Sequence, residues 1–540
     1  MQAEKKQGLG QEPLNRYRKK SGRFVSAATA VCTIVFIAFT ILQPELTSAF
    51  FAEANRLFNE RFNWLYVLVI NVVLVFVVWL CCSKYGSMRL GGSRARPEFG
   101  DAAWYSMIFS AGIGIGIFFY GVAEPIYHLH IPAALDSGSG FDPFKIMFLH
   151  WGAHAWSVYA LLAIGLAYFS YNKGLPFAAR SLFYPLLHKK IYGVAGDLID
   201  TLCTVSILFG LATSLGLGTQ QVNAGMNFVF GIPYSASTQL LFILVISAVA
   251  TLAVASGVDR GMKWLSEANM VVSGLLLAVI LLAGPTVYIL SSYLSGMGLY
   301  ARDFFSAGLF TAVLPEDVAW QGNWTVFFWS WWFSFAPFVG IFIAQISRGR
   351  TIRQVGLGVI LLPTLAITLS MGILGGAGLY LNEESGGVIA AAIAENVSTS
   401  IFQMFRLLTK SRLFQIALSI TAVVAISTFF LTSSDSGSLV VSSMASGGLK
   451  APPKRQRIFW ALIQGGIAVA VLLIGDEGAF TTIQAAVIML GLPFSVVLLI
   501  LMVSLYRGLK EERILKGLHR LRRVYRQPDE AAVRELERDP

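Results

Sequence analysis

The chain has 540 residues, 55% of them hydrophobic and 13% charged, with 41 Lys and Arg against 30 Asp and Glu for a formal net charge of +11. So little polar surface cannot coat a water-soluble globule of this size, which excludes a soluble enzyme or binding module and leaves a polytopic membrane protein. The basic excess follows the expected inner loops and tails and forms no groove-sized patch, so no nucleic-acid partner is expected.

Apolar runs of about 20 residues cross a hydrocarbon core of about 30 Å as a helix. Such runs predict spans near 26–45, 63–83, 102–123, 147–171, 198–230 and 236–257, then near 266–296, 325–346, 354–381, 414–436, 458–475 and 480–506. The expected fold is an all-α integral membrane protein of twelve transmembrane helices. The first run follows Arg16, Arg18, Lys19, Lys20 and Arg23 and lacks a small-residue cleavage site, so it reads as a retained helix. Lys and Arg concentrate in the two tails and the inner loops, which predicts both termini in the cytoplasm. Cys32, Cys81, Cys82 and Cys203 lie in or beside apolar runs with no Cys-x-x-Cys pair, implying neither a disulfide framework nor a metal site.

In the third span, Gly112, Gly114 and Gly116 alternate with Ile113, Ile115 and Ile117. The spacing allows local unwinding that brings backbone groups to a ligand, or close helix packing through Gly112 and Gly116. Glu124 precedes Pro125 at the outer end and is a candidate gate, cap or ion pair. The fourth span carries His150, Trp151, His154, Trp156 and Tyr159. On a continuous helical wheel the three aromatic rings share one face, and the two histidines read as packing residues.

The eighth span contains Trp324, Phe327, Trp331, Trp332, Ser334 and Phe335 ahead of Pro337 and Gly340. Phe327, Trp331 and Phe335 recur every four residues as a second aromatic stripe. Either stripe fits an interfacial belt or helix core, or a face whose π density holds a quaternary ammonium. The tenth span ends Phe429-Phe-Leu-Thr-Ser-Ser-Asp-Ser-Gly-Ser438, whose hydroxyls suit a sodium ion or bond back to their own helix.

Glycine or proline interruptions in the third and eighth spans, each the first of five, suggest two five-helix inverted repeats after two peripheral helices. The expected organisation is a basic tail over 1–25, two peripheral helices and an inner loop over 26–101, and a first repeat over 102–296. An outer amphipathic segment over 297–324, a second repeat over 325–506 and a basic tail over 507–540 complete it. Outer stretches around 131–146, 298–318 and 388–411 read as interfacial helices or lids. Leu509, Ile514, Leu515, Leu518, Leu521 and Val524 give the last tail an apolar stripe fit for an anionic leaflet, or a purely topogenic role.

With these residues in view, the sequence resembles the betaine/carnitine/choline transporter family. The likeness is carried by Asn323-Trp-Thr-Val-Phe-Phe-Trp-Ser-Trp-Trp332, the following Pro-Phe-Val-Gly and Ile-Ser-Arg-Gly-Arg segments, Gly-Val-Ala-Glu-Pro125 and Thr-Ser-Ser-Asp-Ser-Gly437. It implies the amino-acid-transporter-like inverted-repeat fold, alternating access, a homotrimer, and a place in the bacterial cytoplasmic membrane. It implies a substrate cage of Trp151, Trp156 and Tyr159 with Trp331, Trp332 and Phe335, where Phe335 departs from the Trp common in betaine carriers. Phe327 and Ser334 lie beside that site, and backbone around Ala111, Gly112 and Gly114 would meet the substrate carboxylate.

The resemblance also implies a sodium site on carbonyls of Ser110, Ile113 and Phe429 with hydroxyls of Thr432 and Ser433. The family's further sodium site takes hydroxyls from the fifth span, and Ile207-Leu-Phe-Gly-Leu211 has none, so one ion is expected and proton coupling stays open. Choline carriers of the family tend to have an acidic residue where this chain has Gly116, which favours a zwitterion. The expected function is sodium-coupled uptake of a zwitterionic quaternary-ammonium compound, glycine betaine first, with no cofactor. The alternatives are proton-coupled choline uptake, carnitine/betaine exchange, an integral-membrane enzyme acting on choline lipids, and an osmosensor signalling through its basic tail.

Overall fold

The computed structural model describes residues 11–112, 114–256, 259–449, 451–474 and 476–524. Among these residues the chain is helical with no β-strand, and the single isolated bridge joins Arg89 to Thr351. Two long helices open it, α1 (Gln11–Leu42) and α2 (Pro44–Cys82). Pro44 occupies the first turn of α2, where its missing N–H leaves no bond unmade. A loop leads to the half-length α3 (Asp101–Gly112) and α4 (Gly116–Tyr127), then to α5 (Asp142–Trp151) and α6 (Ala153–Ala167). The short α7 (Tyr184–Leu187) precedes α8 (Val194–Phe230), α9 (Ala236–Ser256), α10 (Asp259–Ala283) and α11 (Thr286–Arg302). Two short helices, α12 (Phe304–Gly308) and α13 (Pro315–Gln321), lead into α14 (Phe327–Ile346). After α15 (Ile352–Glu384) come the short α16 (Val388–Glu395) and α17 (Ser400–Leu408), then α18 (Arg412–Ala445), α19 (Lys454–Leu472) and α20 (Asp476–Val524).

Among the described residues, ten helical segments are long and apolar enough to cross a membrane. Two of the twelve expected spans are not among them. The third is divided between α3 and α4, and the eleventh, α19, opens with Lys454, Arg455 and Arg457, which dilute its apolar stretch. The most apolar window of Asp142–Asn172 is 94% buried and that of Pro315–Ile346 is 89% buried, against 22% for Lys20–Leu42, Ala236–Ala255 and Trp264–Ala283. The segments carrying the two aromatic stripes therefore form the centre. Around them, α9 turns Leu241, Leu244, Val245 and Leu252 outward, an apolar face suited to lipid. The second helix is less peripheral than expected: its window is 56% buried, and Tyr66 donates to the Ile488 carbonyl of α20 at 2.7 Å.

The structure keeps one of the two expected helix breaks and moves the other. The third span is interrupted as expected, between Gly112 and Gly116. The eighth is not: α14 runs unbroken past Pro337, and its irregular turn lies earlier, as a π-helical turn over Gly322–Val326. A proline inside a packed membrane helix loses one hydrogen bond, which neighbouring helices tolerate. Gly340, expected as a breaker, instead permits close packing, since a Cβ there would stand 2.6 Å from Leu162 Cβ of α6.

The fourth span breaks at Gly152 (φ −90°, ψ −143°), so the helical wheel drawn across Trp151 to Tyr159 does not hold. The freed Ala153 N–H donates to the Tyr300 hydroxyl at 3.1 Å. The run 266–296 is likewise two helices, parted at Gly284 and Pro285.

The outer amphipathic segment is fastened down. Asn63 on α2 donates to the Ala312 carbonyl at 3.0 Å, and Asn71 donates to the Gly308 carbonyl at 2.7 Å. The start of the basic tail continues α20. Leu509 is buried, Tyr168 donates to the Gly508 carbonyl at 2.7 Å, and Lys173 pairs with Glu512 at 3.4 Å. Protein, not lipid, therefore covers the first turn of that stripe.

Candidate functional site

The two aromatic stripes meet. Trp151 ends α5, Trp156 and Tyr159 lie on α6, and Trp332 of α14 stands among all three. Its ring centroid is 5.7 Å from Trp151, 6.0 Å from Trp156 and 5.3 Å from Tyr159. Trp331 lies 6.4 Å from Trp151 and stacks at 5.7 Å on Phe327. All six rings are at least nine-tenths buried. The indole N–H groups of Trp156, Trp331 and Trp332 have no hydrogen-bond partner among the described residues. Such a cluster offers π faces and few competing acceptors, the environment that favours an onium group over a hydrated metal ion.

The flanking residues differ in their use. Phe335 is half-buried, 6.2 Å from Trp331, and turned against α8, where a Cβ on Gly210 would stand 2.9 Å from its ring. The Ser334 hydroxyl donates to the Ser330 carbonyl of its own helix at 3.0 Å. Gly116, first residue of α4, faces Trp151 so closely that a Cβ would lie 2.4 Å from Cη2 of the indole.

Sequence reasoning missed Tyr120, Phe328 and the use made of Glu124. Tyr120 stands 6.4 Å from Trp331 and 5.0 Å from Phe328, which is 5.2 Å from Trp151. Glu124 is fully buried, accepts from Trp151 Nε1 at 2.7 Å, and lies 2.7 Å from His150 Nδ1 and 3.3 Å from His128 Nε2. His150 is therefore a hydrogen-bonding residue, contrary to the packing role expected of it; its Nε2 also meets Thr325 Oγ1 at 3.0 Å. His154 packs, with its ring 4.6 Å from Phe304 and 6.0 Å from Trp329, and its Nε2 also meets Asn71 Oδ1 at 3.2 Å. The signal in the sequence was the acid at Glu124 with His128 one turn later.

Of the expected backbone contacts, Ser110, Ala111 and Gly112 form the last turn of α3 and Gly114 lies in the break, while Ile113 lies outside the described residues. The Phe118 ring of α4 is 6.2 Å from Phe429, so the break and the hydroxyl tract of α18 are neighbours. That tract is not itself broken: α18 is continuous through Thr432 and Ser433, both half-buried. Thr432 donates to the Thr428 and Phe429 carbonyls, each at 3.1 Å. The back-bonding leaves the oxygen lone pairs of Thr432 available to a hard cation.

Helices of membrane length around a buried aromatic centre, with the third and fourth spans both broken beside that centre, fit a membrane transporter built to hold a solute. The chain belongs to the betaine/carnitine/choline transporter family, whose model matches residues 24–514; it is a transporter and not an enzyme. It is 41% identical over 460 residues to glycine betaine transporter 1 of Vibrio parahaemolyticus, covering 84% of this chain and 86% of that one. It is 36% identical over 486 residues to the glycine betaine transporter OpuD of Bacillus subtilis, covering 89% and 93%. A glycine betaine/proline/choline/ectoine transporter of Vibrio parahaemolyticus is 39% identical over 491 residues, covering 89% and 86%.

Proposed function

We propose that this transporter takes up a zwitterionic quaternary-ammonium compound, glycine betaine first, by sodium-coupled alternating access through the aromatic cage. The observation that carries the reading is the position of Trp332 among Trp151, Trp156 and Tyr159. A methylated ammonium offers no N–H, so rings replace its hydration shell, each contributing roughly 0.5 to 2 kcal/mol or more when water is excluded. The substrate carboxylate meets backbone N–H groups at the break between α3 and α4, near Ala111 to Gly114. Sodium sits on carbonyls of Ser110, Ile113 and Phe429 with hydroxyls of Thr432 and Ser433, joining that break to α18.

Gly116 supports a zwitterion over a net cation. A bare glycine supplies no counter-charge, and Trp151 occupies the space where an acidic side chain would begin. The relatives named for glycine betaine support the same substrate class. In this reading α3 to α11 and α14 to α20 are inverted repeats within twelve spans, both termini are cytoplasmic, and the protein is a homotrimer of the bacterial cytoplasmic membrane.

Proteoliposome flux of labelled glycine betaine, choline and carnitine under imposed sodium or proton gradients tests it. Saturable betaine uptake driven by sodium is expected. Choline uptake driven by protons, or exchange without a gradient, would replace the reading.

A further inference from the structure

We propose that Glu124 is a positioning residue for substrate recognition: its carboxylate fixes the plane of the Trp151 ring and ties it, through His150, to Thr325 at the entry to α14. The proposal rests on the aromatic-cage reading and adds to it a residue that touches no substrate.

A carboxylate wholly removed from water inside a membrane protein needs partners for both oxygens. Glu124 has them on two sides. Oε2 accepts from Trp151 Nε1 at 2.7 Å, a short bond of the charge-assisted kind. Oε1 lies 2.7 Å from His150 Nδ1 and 3.3 Å from His128 Nε2, and His150 Nε2 reaches Thr325 Oγ1 at 3.0 Å. One side chain of α4 thus gathers groups from the end of α5 and from the π-helical turn before α14.

Trp151 needs such a hold more than its neighbours do. It is the last residue of α5, with the irregular backbone of Gly152 directly after it, so the helix supports its ring from one side only. Trp156 and Trp332 lie within helices and keep their orientation with no partner on the indole nitrogen among the described residues. On the far edge of the Trp151 ring, Gly116 leaves room for the indole in this orientation. Donation of the N–H to a carboxylate also enriches the π face on which an onium group rests. Orientation and electron density both follow from one hydrogen bond.

The test compares Glu124→Met, which keeps the volume and removes the acceptor, with Glu124→Gln. In the latter the amide oxygen accepts from Trp151 and the NH2 group faces His150. Initial rates of labelled glycine betaine uptake are measured in proteoliposomes at matched protein density. Glu124→Met is expected to raise KM about tenfold with the maximal rate within about twofold of wild type, the loss expected for one charge-assisted hydrogen bond. Glu124→Gln is expected to restore KM to within about threefold.

A wild-type KM in Glu124→Met overturns the proposal. So does a Glu124→Gln protein as impaired as Glu124→Met, because charge and not the bond would then be what matters. Should Glu124→Met not reach the membrane, Thr325→Val, which removes the Nε2 partner of His150 and so frees the far end of the ring that holds the same carboxylate through Nδ1, is read instead. A raised KM at wild-type maximal rate supports the proposal, and a wild-type KM overturns it. Absence of saturable betaine uptake in the wild-type protein would reject the cage reading itself, a result distinct from either outcome at Glu124.

Discussion

The Trp332 ring meets that of Trp151 edge to face, with centroids 5.7 Å apart and planes at 86°. Tyr159 and Trp156 approach the same indole, so Trp332 is shared by every fourth-span ring of the cluster. Trp332→Leu removes the common surface while keeping an apolar side chain in α14. Saturable glycine betaine uptake should fall to background, with membrane insertion and melting temperature retained. Near-normal transport by this variant would contradict a cage centred on Trp332.

At Gly116 the constraint is steric. A Cβ would stand 2.4 Å from Cη2 of Trp151, closer than side chains are found, so Gly116→Asp must displace the indole. The expected outcome is at least a tenfold loss of glycine betaine affinity, together with a change in the tryptophan emission of the purified protein. Unchanged affinity would show that the Trp151 orientation does not matter to binding.

The hydroxyl tract of α18 gives a separate prediction. Thr432 already satisfies its proton on carbonyls of its own helix. Thr432→Ala with Ser433→Ala should therefore leave folding intact and remove the sodium dependence of uptake. Sodium titration of initial rates checks this, and an unaltered sodium curve would reject the site.

In the loop between α14 and α15, Gly349 adopts φ +83°, and a Cβ there would lie 2.0 Å from the Arg96 carbonyl carbon. Its N–H donates to the Leu90 carbonyl at 2.8 Å, while the Arg350 guanidinium sits 4.1 Å from the Trp104 ring and 2.7 Å from Asp101. Gly349→Ala should undock the loop between α14 and α15 from the loop after α2. A lower melting temperature and lower yield are expected at unchanged substrate KM in whatever protein folds.

Outside the spans, the Arg302 guanidinium and the Lys145 ammonium hold the Asp303 carboxyl down at about 2 from an ordinary 3.8. A carboxyl whose folded value is depressed contributes stability that is fully present above the unfolded value and lost as pH falls through the folded one. Asp303→Asn should therefore melt below wild type at pH 7, with the gap closing as pH drops from about 4 toward 2. A gap independent of pH would mean that packing, not charge, supports this corner.

Much of this was legible because membrane composition leaves few options. Apolar length sets the helices, and Trp151, Trp156, Tyr159, Trp331 and Trp332 are too many large rings, too deep in their spans, for an interfacial belt alone. Other features depend on partners that one sequence does not display. Pro337 looked like a break, yet packing against neighbouring helices carries α14 past it, while Gly152 broke the fourth span with no proline to mark it. The role of His150 was hidden because Glu124 and Thr325, its two partners, lie 26 and 175 residues away.

The central claim is that buried rings bind a methylated onium group, and the most direct measurement is tryptophan fluorescence of purified protein titrated with glycine betaine. A saturable emission change in the millimolar range or below, absent in Trp332→Leu and absent with glycine added in place of glycine betaine, is the result expected. Emission indifferent to glycine betaine, choline and carnitine alike would contradict the account.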